Sequence, residues 1–237
     1  MKVWALVPAR GGSKSIPKKN LAMVAGRPLL DYGLLSGLAC RQLGRLYCST
    51  DDEAIAQRAR HVGAQVVMRP PELATDNAKV DMVAQNFLQG FPASDLPDAV
   101  ALIQPTSPFL LPTHIEALIS ALEKARAAAS AHNVAPVAHN LHAWNQREVD
   151  RNGQVRFLFA EERQRARNKQ EKPKLYAFGN LIMARTKPLL EGKGFYAEPA
   201  VAIPIETPYD FDLDGPADIV QAETLLRDGR VSLAHLS

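Results

Sequence analysis

Apolar residues along the chain fall into short continuous runs, separated by stretches in which leucines and alanines recur at helical spacing. Val3 to Val7, Arg45 to Ser49, Ala64 to Met68 and Ala99 to Ile103 are runs of strand length, of the kind expected for strands covered on both faces. Between the first two, Leu29, Leu30, Leu34, Leu35 and Leu38 predict a core-facing helix from Pro28 to Cys40, with the proline in the first turn where it is tolerated. Thr50-Asp51-Asp52-Glu53 has the form of a capping box and opens a second helix to about His61. The two aspartates are therefore assigned to capping and to the helix dipole rather than to a metal. Pro112 to Ala129 is alanine-rich and predicts a further helix, and Asn133 to Val137, Leu181 to Arg185 and Ala200 to Ile205 predict further strands. Strand and helix in alternation imply a mainly parallel sheet, an α/β fold.

From about Ala138 to Lys174 the alternation stops: the segment is polar, rich in Arg, Gln, Asn and Glu, and has no sustained apolar period. It is expected to be an insertion in a single domain spanning residues 1–237, a length that buries a full core. Composition changes this picture little. With 46% hydrophobic and 22% charged residues, the chain is an ordinary soluble type. A net charge of +3, without a long basic run, argues against a nucleic-acid partner. No apolar run has the length of a membrane helix, and the first is cut by Arg10 before it could serve as a signal peptide, so a cytoplasmic protein is expected. Cys40 and Cys48 lack metal spacing and lie in apolar surroundings, where small buried thiols are common. His139 and His142 have a ligand-like gap but no third partner nearby, which suits a polar loop.

Four segments carry candidate chemistry. After the first strand, Pro8 to Asn20 supplies Arg10, Lys14, Lys18 and Lys19 with no acidic residue, while Gly11 and Gly12 let the backbone approach a ligand or take positive φ. Cations and glycines at a strand end suit a polyphosphate, although local composition also fits a basic surface turn. Walker A spacing fails because Ser13 stands where its second glycine belongs, and Pro17 disfavours a helix from Lys14. The dinucleotide fingerprint lacks its third glycine. Next, Arg69-Pro70-Pro71 must be extended and should lie at the carboxyl ends of the strands, where ligands bind in parallel sheets. Gln104-Pro105-Thr106-Ser107-Pro108 presents amide and hydroxyl groups that hydrogen-bond a base or sugar without bringing charge, or that cap the helix after it. Finally, Asp212 and Asp214 point to one face of an extended segment and converge on a cation, whereas Asp218 is expected to be a helix-end charge. A calcium loop is disfavoured, since its twelfth residue would be Gln221 and Pro204 and Pro208 preclude the incoming helix.

Pro8-Ala9-Arg10-Gly11-Gly12-Ser13-Lys14, followed by Ile16-Pro17 and Lys19-Asn20, resembles the signature of the CMP-acylneuraminate synthetases, the cytidylyltransferases that activate sialic and related nonulosonic acids. Ser15 stands where that family usually has glycine. The resemblance implies a Rossmann-like three-layer α/β/α nucleotidyltransferase in which Arg10, Gly11, Ser13, Lys14 and Asn20 hold the triphosphate of CTP. Arg69, in a segment similar to the family's Arg-Pro-x-x-Leu-Ala-x-Asp, and Gln104, Thr106 and Ser107 inherit nucleotide contacts. The serine that the family has near the base is missing from the shortened Asp76 to Asp81 stretch. Asp212 and Asp214 inherit magnesium. The implied reaction is Mg2+-dependent transfer of CMP to the anomeric hydroxyl of an α-keto acid sugar, with Arg10, Lys14 and Asp214 catalytic. A cytidylyltransferase for another acceptor, an eight-carbon 3-deoxy acid sugar or a phosphonate, is the alternative, as is a non-catalytic CTP-binding protein. The 138–174 insertion would form a homodimer and lend residues to the partner's sugar site. There the family's Arg-Arg-Gln is Asn168-Lys169-Gln170, leaving Lys169 or Arg167 for the sugar carboxylate, and its tyrosine followed by Asn-Gly is Tyr176-Ala177-Phe178-Gly179-Asn180, with Gly and Asn exchanged.

Overall fold

The first apolar run becomes the middle of the molecule. In the computed structural model, which describes residues 1–165 and 168–236, β1 (Val3–Pro8) is buried on both faces, and its side chains alternate between two cores. After it come a ribbon of β2 (Met23–Val24) and β3 (Arg27–Pro28), α1 (Leu29–Ala39), β4 (Arg45–Thr50), α2 (Glu53–Val62), β5 (Gln65–Met68), α3 (Val80–Gln89), β6 (Ala99–Ile103), α4 (Pro112–Lys124) and β7 (Ser130–Pro136). The chain continues through a hairpin of β8 (Arg147–Val149) and β9 (Val155–Phe157), then α5 (Ala160–Arg165), β10 (Tyr176–Arg185), α6 (Thr186–Leu190), β11 (Ala200–Pro204) and α7 (Pro216–Arg227).

Seven strands form one sheet in the order β11-β7-β10-β6-β1-β4-β5. Every neighbouring pair is parallel except the two made by β10. Val3, Ala5 and Val7 face a core shared with Leu30 and Leu34 of α1, Ile55 of α2 and Ile115 and Leu118 of α4. Trp4 and Leu6 face the opposite core, with Phe87 and Leu88 of α3 and Leu189 of α6. Helices therefore cover both faces of a mainly parallel sheet, the expected α/β/α layering. Among the described residues no helix is long and apolar enough to cross a membrane.

Some boundaries differ from expectation, each for a physical reason. α4 ends at Lys124 rather than Ala129: the chain must turn back to the sheet, Ala128 packs into the core and the Ala129 amide donates to Pro199 O at 2.7 Å. Sheet pairing overrides alanine's helix preference there, and β7 begins at Ser130 instead of Asn133. β10 is twice the expected length, because Gly179 and Asn180 interrupt the apolar run that would have revealed its first half. α1 is buried on more than its leucine stripe: Gly33, Ser36 and Gly37 are buried, whereas Leu35 is half-buried and Leu38 is 43% exposed. Pro28 is its N-cap residue rather than part of the first turn.

Candidate active site

β1, β4 and β6 run in parallel, and the loops leaving the carboxyl ends of β1 and β6, with Asp214, build a cleft of about 360 Å³. On one wall stand Arg10, Ser13, Lys14, Lys19 and Asn20; Thr106 and Asp214 come from the other side. Three segments far apart in sequence thus meet at one sheet end, where ligands of open parallel sheets bind.

The basic loop is held by its own chain. Ala9 N still bonds Ser49 O at 2.9 Å, and the Asn20 amide then donates to Arg10 O at 2.9 Å, closing residues 10–20 into a compact turn. Gly11 serves close approach rather than positive φ: a Cβ there would lie 2.8 Å from Asp52 Cβ. Its amide donates to Asp51 Oδ1 at 3.1 Å. Of the two aspartates assigned to capping, only Asp52 caps α2, accepting from Ile55 N at 3.0 Å. Asp51 supports the basic loop.

Across the cleft, Leu213 is fully buried and its amide donates to Thr106 O at 2.8 Å. Asp212 and Asp214, on either side of it, are consequently turned outward together. Asp212 still reaches solvent, yet packing around its carboxyl raises its pKa; the neighbouring Asp214 charge adds to the rise, and the Thr106 hydroxyl bond and Lys19 oppose it. Lys19 Nζ lies 3.3 Å from Asp214 Oδ1. Asp218 Oδ2 accepts from the Asp214 and Gly215 amides at 2.8 and 2.7 Å, and these bonds lower its pKa. It is the helix-end charge of α7. Among the described residues no group of three or more His, Cys, Asp or Glu side chains is arranged to hold a metal. Two hard carboxylates beside a cleft lined by Arg10, Lys14 and Lys19 nevertheless suit a magnesium ion, whose remaining positions waters can fill.

The remaining expected residues are placed unequally. Arg69 is buried, its guanidinium donating to Ser49 O at 3.1 Å and Leu73 O at 3.3 Å, so it pins the following loop to the end of β4. Gln104 and Ser107 do not line the cleft, and the buried Ser107 hydroxyl has no hydrogen-bond partner among the described residues. Neither hydroxyl caps α4, where the Leu111 amide instead meets His114 Nδ1 at 3.3 Å. His142 is held by Trp144 N at 3.1 Å and Pro173 O at 3.0 Å, away from the cleft. Arg167 and the side chain of Lys169 lie outside the described residues.

One partner of the basic loop was not anticipated. Asp76 bridges the two principal cations, with Oδ1 2.7 Å from Arg10 Nη1 and Oδ2 2.5 Å from Lys14 Nζ. Its bonds to Lys14 and then Arg10 hold it below the usual carboxylate range. The pairing joins positions more than sixty residues apart, and no local pattern signals it.

The cytidylyltransferase family profile matches residues 4–228. A CMP-N,N'-diacetyllegionaminic acid synthase of Legionella pneumophila is 32% identical over 230 residues, covering 95% of this chain and 97% of its own. An N-acylneuraminate cytidylyltransferase of Oncorhynchus mykiss is 36% identical over 122 residues, which are 52% of this chain and 28% of that longer protein. In fold, the chain is similar to CMP:2-keto-3-deoxy-manno-octonic acid synthetase complexed with CTP, with a TM-score of 0.74 at 15% identity over 97% of this chain and 100% of the other. The cleft at the ends of β1 and β6 and the match over nearly the whole length agree: the chain belongs to the cytidylyltransferase family and is a nucleotidyltransferase.

Proposed function

We propose that the protein transfers CMP from CTP to the anomeric hydroxyl of an α-keto acid sugar of the sialic, pseudaminic or legionaminic type, with Mg2+, releasing pyrophosphate in the cytoplasm. The observation that carries this reading is the single cleft in which Arg10, Lys14 and Lys19 face Asp214. Legionella's diacetyllegionaminic acid synthase, matched along nearly its full length, supports an acidic sugar of the legionaminic type as acceptor.

The sugar hydroxyl attacks the α-phosphorus in line, and the α–β phosphate bond breaks. Arg10 and Lys14 donate to the oxygens of the leaving pyrophosphate, on which charge develops in the transition state. Ser13 contributes its hydroxyl to the same wall, and Asn20 keeps the loop closed through Arg10 O. Lys19 neutralises the acidic strip and holds it near the basic loop. Asp212 and Asp214 would hold magnesium, which supplies charge neutralisation at the phosphates.

The test is pyrophosphate release from CTP with a panel of acid sugars that includes an eight-carbon 3-deoxy acid, with and without magnesium. Asp214→Asn should lower turnover by orders of magnitude, with partial recovery at raised metal and an unchanged melting temperature. Near-wild-type turnover of this variant at low magnesium overturns the proposal.

A further inference from the structure

The exchanged Gly179-Asn180 pair lies in an irregularity of β10. Pairing with β7 runs through Phe178↔Val134 and resumes at Ile182↔His132, so residues 179–181 stand opposite Asn133 alone. Bulges of this kind re-aim side chains. At position 179 there is no room for one: a Cβ would lie 2.8 Å from Ile205 Cδ1 and 3.0 Å from the Asn133 carbonyl. The side chain comes instead from Asn180, which has no exposed surface.

Its amide is fully used. Oδ1 accepts from Asn133 Nδ2 at 3.0 Å. Nδ2 donates to Tyr209 O at 2.9 Å and meets His114 Nδ1 at 3.0 Å. Burial lowers the His114 pKa to about 4, so the ring is neutral at pH 7 and Nδ1 offers a lone pair to both Asn180 and the Leu111 amide. Tyr209 precedes Asp212 by three residues, and between them Phe211 packs on Phe109, ring centroids 5.2 Å apart. Besides its contacts with Lys19 and Asp218, the acidic strip is thus tied to the sheet side through Tyr209 O to Asn180 and Leu213 N to Thr106 O.

We infer that Asn180 is a positioning residue, which sets Asp214, in the lining of the cleft, and its neighbour Asp212 by holding the Tyr209 carbonyl while touching neither carboxylate itself. The inference rests on the proposed metal role of those carboxylates. Only a primary amide supplies one acceptor and two hydrogens in this geometry. Asn180→Asp keeps size and loses both donations, setting a carboxylate oxygen against the Tyr209 carbonyl and the His114 lone pair.

The experiment measures Mn2+ affinity of the CTP complex by paramagnetic resonance, CTP affinity in metal-free buffer by calorimetry, and melting temperature, on the full chain. Asn180→Asp should weaken Mn2+ binding by about 10- to 100-fold, as loss of a group that orients metal ligands does, while metal-free CTP affinity stays within about twofold. Mn2+ affinity within about twofold of wild type in the folded variant overturns the inference. If Asn180→Asp does not fold, Asn180→Gly, which removes the bonds without burying a charge, is judged by the same criteria. Asp214→Asn, run in parallel, separates the two readings. If it weakens Mn2+ binding and the Asn180 variants do not, the positioning role alone fails; if it leaves Mn2+ binding unaltered, the metal role of the carboxylates fails and the inference with it.

Discussion

Lys14 is 85% exposed and packs against little, so its charge is available to a ligand at almost no cost to the fold. Lys14→Ala should lower kcat/KM for CTP by about a hundredfold or more, the effect of removing one transition-state donor, and leave the melting temperature unchanged. An unaltered kcat/KM would remove Lys14 from the phosphate site. His114 makes the opposite case, a residue whose charge is suppressed by burial. Its pKa falls from 6.5 to about 4. The unfolded chain binds a proton near 6.5 and the folded chain only near 4, so the stability His114 contributes is present above pH 6.5 and lost as pH falls toward 4. Denaturant titrations at pH 7 and 4.5 should show wild type losing about 2 to 3 kcal/mol more than His114→Gln over that interval. Equal losses would place the imidazole in a wetter setting. Neither the suppressed charge of His114 nor the bridge at Asp76 was visible in the sequence. Both depend on neighbours brought from distant segments, whereas Arg10, Lys14, Thr106 and Asp214 sit in short runs whose chemistry is local.

Strands buried on both faces were the most legible elements, because an uninterrupted apolar run is their direct signature: β1 and β6 lie where those runs predict. α1 was legible in place but not in the way it packs. Its leucine period points to one stripe, while the closest approach to the sheet is made by glycine. A Cβ at Gly33 would stand 2.9 Å from Ile103 Cγ2, and one at Gly37 would stand 2.9 Å from Leu46 Cδ1. Helical propensity favours alanine over glycine by about 1 kcal/mol, yet Ile103 is β-branched and its χ1 gives little. Gly33→Ala should therefore destabilise the protein, by about 1 to 3 kcal/mol in urea unfolding. A more stable variant would show that α1 can lift away from β6. The first half of β10 escaped the sequence for a related reason. Gly179 and Asn180 are chosen there by close packing and a buried polar network, and neither leaves a periodic trace.

In the whole molecule, the 138–174 segment gathers several exposed apolar side chains on one small hairpin. Among the described residues β8 and β9 pair only with each other, and a lone two-stranded hairpin is marginal in water. Val149 and Val155 are 63% and 60% exposed on it, with Leu158 54% exposed beside them. Covering this apolar surface with a second copy would account for it. Sedimentation at micromolar concentration should show a homodimer that Val155→Asp shifts toward monomer, and an active wild-type monomer would exclude that assembly. At the cleft, the Asp76 bridge changes how the molecule looks to an approaching anion. Arg10 and Lys14 already carry an internal counterion, and Lys19 is paired with Asp214. If the nucleotide binds as proposed, its binding is an exchange of one carboxylate for phosphate oxygens rather than the filling of a bare positive site. A small anion could span both cations only as the Asp76 carboxylate already does, and must compete with a group fixed in the chain; on the proposed function a triphosphate would bring further oxygens to the exchange. On that reading the internal pairing lowers the pull of the cleft on weak anions and leaves the advantage to a ligand with several negative oxygens.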